Sequence, residues 1–444
     1  MGYKNNFLKR IRVTNYFSII FSIMKVNQNN ITSANLVPSV MFVDMNSFFP
    51  SCEQQVNYWL RHRPIGVCVY TGRQGAVIAL SKEAKKMGIK PARIDQIMQQ
   101  CPEFVPLETN PARYREFHIK IMKVLKQFSE DVIPKSIDEA VINFSSYHLV
   151  YSDLKQVALD IKKKIRDEVG DWFTCSIGIA PNAFLAKFAS GLQKPDGLQI
   201  ITPENIDSVL ERTKLTDLPG ISKGMALRLI AGNIYSPLQL RYTPPEVLHR
   251  VCKSIVGEYW HYRLNFKEVD MSADEYKGMQ AMRQISKEQR SSIETLHDIL
   301  RALCLQLEKR MVRHDIVASY IGFSCTYEDG NSWSDHVHTA AIQDGVEIMN
   351  IILARMRIFE LEHSCEPIIN HQTTRMCVFT TELNNSGPVQ YSMFGSNLRK
   401  DNLRKTVYEL KNKFGFEKIF RAAEMTDTPV LKDVIGFGSI KDLM

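Results

Sequence analysis

Three carboxylates stand where they could do chemistry. Asp44 ends the apolar run Val40, Met41, Phe42 and Val43 in "SVMFVDMNSFFPSCEQ". A carboxylate at the end of a buried strand is costly unless it is paired or holds a metal. Its obvious partners are Asp138 and Glu139 in "SIDEA". Neighbours on a strand point to opposite faces, so only a bent backbone at a strand end or turn could aim both at one site. Taken alone, a "DE" pair is more often a solvated surface pair. Three such groups close together repel strongly unless divalent cations neutralise them, and oxygen-only ligands suit Mg²⁺. Two such ions about 3.5–4 Å apart would clamp the attacking and leaving oxygens of an in-line phosphoryl transfer.

The elements that must position these groups follow from the apolar spacing. "IGVCVYTGRQGAVIALSKEAKKMGIK" predicts two short strands, at Val67–Tyr70 and Ala76–Ala79, then a helix capped near Ser81 and stopped at Gly88. Phe117, Ile121, Val124, Leu125 and Phe128 recur at helical spacing. "SIDEAVINF" alternates as a strand, "LVYSDLKQVALDIKKKIRDEVG" is an amphipathic helix, "FTCSIGIA" a strand, and "PNAFLAKFASGLQKPDG" a helix ending in a Pro/Gly turn. This order suggests an α+β, ferredoxin-like sheet with helices on one face. From about residue 202 to 271 short helices dominate. Beyond the charged link "DMSADEYKG", residues 279–383 mix strands with two long helices, about Ile293 to Val312 and Asp344 to Met356, and close on the strand "RMCVFTTEL".

The chain has 444 residues, 44% hydrophobic and 23% charged, with a formal charge of +8. That length calls for three or four domains, and the composition is that of a soluble globular protein. No apolar run approaches the roughly 20 residues of a bilayer span, so no membrane association is expected. The positive excess is concentrated before residue 44 and after residue 383, and the stretch between is balanced. Nucleic-acid binding would have to come from local patches. Nine scattered cysteines without a CxxC pair read as reduced thiols in a cytoplasmic protein. The acid-free start, residues 1–36, reads as a basic, disordered extension.

"FVDMNSFF", "SIDEA" and "SIGIAPNAFLAKFASGLQKPDGLQII", in this order, closely resemble the Y-family (translesion) DNA polymerases, in their bacterial DinB/UmuC-like form. The likeness is specific from about Met41 to Ile201 and weaker to about residue 383. It implies a palm at 37–49 and 114–201, small fingers at 50–113, a helical thumb with a helix-hairpin-helix at 202–271 and an α+β little finger at 279–383. Asp44, Asp138 and Glu139 would bind two Mg²⁺, with the Met45 carbonyl completing one site. Phe49 stands where the family places its steric gate against the sugar, beside Phe48. Ala79, Lys82, Lys85 and Lys187 stand at or near the nucleotide contacts. The chain departs from many relatives in having Lys82 and Lys85 for Tyr and Arg, Ala183 for Lys, and Asn46 for Asp. A Lys is a point charge and lacks the planar fork of Arg.

"LPGISKG" resembles a helix-hairpin-helix turn in which Gly220, Ser222, Lys223 and Gly224 would offer backbone N–H groups to DNA phosphates. Ser222 stands where a second Gly is usual. Residues 279–383 hold ten Lys/Arg against fourteen Asp/Glu, so their DNA contact would be confined to one face, through Arg283, Lys287 and Arg290. In the tail, residues 384–444, "QYSMFG" resembles the bacterial sliding-clamp peptide: Gln390 at a pocket rim, Met393 and Phe394 within it. Beyond it, Leu403, Val407, Leu410 and Phe414 mark an amphipathic helix.

The resemblance implies a monomeric, low-fidelity polymerase for DNA repair and the SOS response, a mutator that adds dNTPs to primer-template DNA. The alternative is a non-catalytic DNA- and clamp-binding relative in a mutagenesis complex. Such relatives lack the acidic ligands, which are all present here. A nucleotidyl cyclase would also use paired acids and metals, but would explain neither the hairpin turn nor the clamp-like peptide.

Overall fold

The structure is a computed structural model that describes residues 37–73, 75–271, 277–385, 396–414 and 418–419. The extension at 1–36 and the clamp-like peptide Gln390, Met393 and Phe394 lie outside the described residues. Contacts divide the chain near residue 272 into two units.

The first unit is built on a five-stranded sheet of order β5-β6-β1-β7-β8. Its centre is β1 (Val40–Met45), antiparallel to β6 (Glu139–Asn143) and to β7 (Cys175–Ala180). β5 (Val132–Pro134) and β8 (Leu198–Ile200) flank them. All six residues of β1 are buried, because both faces of the sheet are covered. Met41, Val43 and Met45 pack with Tyr114, Phe117 and Ile121 of the helix Pro111–Leu125 and with Val157, Ile161 and Ile165 of the helix Leu154–Glu168. Val40 and Phe42 pack with Leu185, Phe188 and Ala189 of the helix Ala183–Leu192. The expectation of helices on one face is thus corrected: an unbroken apolar strand, unlike an alternating one, needs cover on both sides.

The last of those helices lies close on the sheet because β7 has a glycine beneath it. A Cβ at Gly178 would stand 2.0 Å from the Ala186 carbonyl oxygen and 2.4 Å from the Ser190 nitrogen.

A second sheet, β3-β2-β4, carries the insert between β1 and the helix Pro111–Leu125. β2 (Ile65–Cys68) pairs antiparallel with β3 (Val77–Leu80) and parallel with β4 (Val105–Glu108). The observed strands stand within two residues of the expected starts. Ser81 caps the helix Lys82–Lys86 by accepting from the Ala84 N–H, and Gly88 follows with φ +77°. From residue 206 five short helices, between Ile206 and Leu264, close around Trp260, which is 1% exposed.

The second unit has a four-stranded antiparallel sheet of order β11-β10-β12-β9: Ser332–Ile342, Ile316–Tyr327, Thr373–Asn385 and Gly278–Gln284. The helices Ile293–Arg313 and Gly345–His363 share one core with it. The second helix runs seven residues past the expected Met356, to a left-handed Ser364. Its last turns are mostly solvent-facing, so apolar spacing gives no signal there. The helix Ser396–Phe414 is present, but its face is not the expected one. Arg404, Tyr408 and Lys411 are buried, whereas Leu403, Leu410 and Phe414 are exposed. Long basic side chains can cover apolar surface with their stems, a pattern that hydrophobicity does not register.

Seven of the nine cysteines are buried, none is bonded to another, and Cys365 alone is exposed. Among the described residues no helix is long and apolar enough to cross a membrane.

Gly178→Ala should cost about 1–3 kcal/mol, since the added methyl meets backbone atoms that cannot rotate away. The urea midpoint measures this. An unchanged midpoint would mean that the helix rides outward at no cost.

Candidate active site

β1 and β6 bring the acids together by register. Asp44 is paired directly with Glu139 across the two strands. Asp138 lies just outside β6, in the turn from β5, where the Ser136 and Lys135 N–H groups both donate to the Glu139 carbonyl. The Met45 N–H donates to the Asp138 carbonyl at 2.9 Å. This is the bent backbone that the adjacent acids require. The strand expected over "SIDEAVINF" begins only at Glu139, because those turn hydrogen bonds replace the ladder.

The charges are unevenly met. Lys194 Nζ donates to Asp44 Oδ2 at 2.5 Å, and Lys187 Nζ to Glu139 Oε2 at 2.9 Å. Asp138 accepts from the Ser136 hydroxyl. Burial raises the pKa of Asp44 from its ordinary value, Lys194 pulls it down, and Glu139 and Asp138 push it up again. Burial likewise raises Asp138, with Ser136 opposing and Glu139 adding to the rise.

Among the described residues no three His, Cys, Asp or Glu side chains converge as a closed metal cage. The donor set at Asp44, Asp138 and Glu139 nonetheless fits hard divalent cations. It is all oxygen, it is self-repelling, and its present counter-charges are two lysine ammonium groups whose side chains are about two-fifths exposed.

The chain turns at once from this site into an aromatic wall. Ser47 has φ +49° and opens the helix Phe48–Val56. Phe49 stacks on Tyr114 at 4.5 Å with a 19° interplanar angle. Phe48 lies 5.9 Å from Phe49, and Ala79 packs against the same core. Lys85 Nζ donates to Ser47 Oγ at 2.9 Å. Its pKa is lowered by burial and next by Lys194, while Asp44 and Asp138 raise it. The structure thus gathers Lys85, Lys187 and the acids. Lys82 turns elsewhere: its Nζ lies 5.2 Å over the Trp172 ring and 3.4 Å from the Trp172 carbonyl, and burial lowers its pKa.

Lys194 was not singled out by the sequence reading. The signal was the "KPDG" turn itself, taken only as a helix stop, although it places a lysine before a tight turn that follows β7 and its helix.

In the turn before the helix Lys223–Ala231, Gly220 has φ +83°. Ser222 caps the helix Lys223–Ala231 through the Met225 N–H. Gly220, Ser222, Lys223 and Gly224 are exposed, so the N–H groups of this turn are open to an anion. In the second unit Arg283 is partly buried and its pKa lowered by burial, and Lys287 is exposed. Arg290 is buried and donates to Glu328 at 2.7 Å, which gives its guanidinium a place in the fold instead of on an open basic face.

Residues 43–191 match the impB/mucB/samB family. A DNA polymerase IV of Pelotomaculum thermopropionicum is 27% identical over 403 residues, covering 89% of this chain and 97% of that protein. A DNA polymerase IV of Xanthomonas euvesicatoria is 34% identical over 213 residues, 47% of this chain and 58% of that protein. Among solved structures, a Y-family DNA polymerase chimera of Dbh and Dpo4 superposes with a TM-score of 0.66 at 21% identity, covering 77% of this chain and 98% of that one. The chain is thus similar to DNA polymerase IV proteins along most of its length and shares the fold of Y-family DNA polymerases.

The raised pKa of Asp138 gives a pH test without metal, in EDTA. The folded protein binds this proton more tightly than the unfolded chain does, so stability falls as pH rises from the unfolded carboxylate value of 3.8 through the folded one. Asp138→Asn should therefore be at least as stable as the parent at neutral pH, and the advantage should vanish below about pH 4. A lower melting temperature at neutral pH would mean that hydrogen bonding to the charged form outweighs burial.

Proposed function

We propose that this DNA-directed DNA polymerase is a low-fidelity translesion enzyme using two Mg²⁺ ions. The observation that carries the reading is the pairing of Asp44, four residues before the Phe48–Phe49 wall, with Glu139, with Asp138 at the adjoining turn. Asp44, Asp138, Glu139 and the Met45 carbonyl would hold the metals, which supply charge neutralisation for in-line attack of the primer 3′-hydroxyl on the dNTP α-phosphate, with pyrophosphate leaving. Lys85, Lys187 and Lys194 bring positive charge to the triphosphate; Lys82 joins them by leaving Trp172. Phe49 is fixed by its stack on Tyr114 and excludes a 2′-hydroxyl by overlap. Phe48 and Ala79 complete that wall.

The turn of Gly220, Ser222, Lys223 and Gly224 holds the primer-template backbone, with Arg283 and Lys287 of the second unit contributing on one face. Gln390, Met393 and Phe394 would dock the chain, as a cytoplasmic monomer, on a sliding clamp. The small insert, with its short strands and helices, encloses little around a base pair, consistent with tolerance of lesions.

Primer extension with Mg²⁺ and dNTPs tests the whole reading. Asp138→Ala or Glu139→Ala should abolish extension while primer-template binding survives, since a lost metal ligand removes several kcal/mol of transition-state stabilisation. Near-normal extension by either variant would overturn the metal assignment. Phe49→Val should lower discrimination between a dNTP and its rNTP about tenfold to two-hundredfold in kcat/KM; an unchanged ratio would move the gate to Phe48. Deleting 390–394 should leave unaided synthesis intact and remove stimulation by the clamp. Equal stimulation of the shortened chain would make the peptide structural.

A further inference from the structure

Lys194 springs from a turn whose anchoring goes beyond what closing a helix requires. Asp196, two residues on, sits at φ +57°, a backbone conformation that non-glycine residues hold only when their surroundings fix it. Its N–H donates to Asn46 Oδ1 at 2.8 Å. Its carbonyl and its Oδ1 both accept from Lys162 Nζ, at 2.7 and 3.0 Å. Asn46 is itself pinned. It is 6% exposed, its Nδ2 donates to Ser176 Oγ on β7 at 3.0 Å, and its N–H donates to the Thr174 carbonyl at 2.8 Å. The Gly197 N–H meets the same Ser176 hydroxyl at 3.4 Å.

Lys162 is an unusual residue for this position. It belongs to the run Lys162, Lys163, Lys164, which reads as a solvated helix face. Only Lys162 is buried, at 9% exposure, among Ala158, Ile161 and Ile165 of its own helix. Burying an ammonium is costly unless it is paired and hydrogen-bonded, and its recorded partners are the two oxygens of Asp196. A lysine side chain has many rotamers, so where the Lys194 ammonium spends its time depends on how firmly its backbone is held.

We infer that Lys162 is a positioning residue for nucleotide binding: with Asn46 it clamps Asp196, and the clamped turn delivers the Lys194 ammonium to the acid site at Asp44. The inference rests on the polymerase reading above, in which Lys194 serves the incoming triphosphate. Lys162 touches no substrate in that reading. Its influence runs through one turn to one cation, so it should act on nucleotide affinity and spare both primer-template binding and the chemical step.

The variant is Lys162→Met, which keeps the aliphatic stem in the core and removes the ammonium. Lys162→Arg is the conservative control. The correct dNTP is titrated onto the enzyme bound to primer-template in Ca²⁺, without turnover, and steady-state kcat and KM are measured in Mg²⁺ alongside primer-template Kd and melting temperature. Lys162→Met should raise the dNTP Kd and KM about tenfold, as loss of a supporting hydrogen-bond partner does elsewhere. kcat and primer-template Kd should stay within about twofold, and Lys162→Arg should restore most of the affinity.

Asp196→Asn breaks the same contact from the other side. It should give a weaker effect in the same direction, not additive with Lys162→Met, and it carries the test if Lys162→Met fails to fold. An unchanged dNTP Kd in either folded variant overturns the inference. So does a parallel loss of kcat, primer-template affinity and melting temperature, which would make the contact merely structural. A parent protein that extends no primer overturns the polymerase reading instead.

Discussion

Two carboxylates face each other across a β-ladder at the heart of this protein. Direct cross-strand pairing of like charges is destabilising, and the pairing of Asp44 with Glu139 is placed where burial makes it worse. The neighbouring structure is arranged around that conflict. The apolar residues of β1 are covered on both faces, so the strand end cannot tilt toward water to relieve it. Lys194 and Lys187 reach the two acids, one from a turn and one from the helix that Gly178 allows to lie close. In the proposed polymerase the repulsion would be an asset, because cations that relieve it would bind with the energy the fold has stored there.

The strand that carries Asp44 was legible in the sequence because its signal is local and redundant. An unbroken apolar run, a carboxylate and two aromatics follow within a few residues. The capped helix at Ser81 was legible for the same reason, since a cap is decided within four residues. What stayed hidden was set by pairing at long range. Lys194 and Asp44 are 150 positions apart, and no periodicity reports such a contact. Lys162 was hidden by its neighbours, being one of three identical letters that differ only in which way they face.

The second unit shows the other limit of sequence reading, where charge counts mislead. Arg290 belongs to a basic cluster in the sequence, yet its guanidinium is spent on Glu328 inside the fold. Arg355 is likewise held by Asp335 at 2.8 Å. A unit with more acids than bases can still present a basic face, provided that the acids are consumed internally. Conversely, the buried face of the helix Ser396–Phe414 includes Arg404 and Lys411, residues that a hydrophobicity profile assigns to water.

The cysteines described in the fold bear on how this protein meets oxidants. The thiolate is the nucleophile that attacks peroxide, so a thiol that is covered and holds its proton is slow to react. Burial pushes Cys175, opposite Met45 in the sheet, up to about 12, and Cys68 up to about 11. Cys52, on the helix that begins with the two phenylalanines, is raised as well. Sulfur oxidation is therefore steered to Cys365, the one exposed thiol, in the other unit from the paired acids. The strand that carries Asp44 can keep its sulfur neighbours chemically silent through an oxidative burst of the kind that damages DNA.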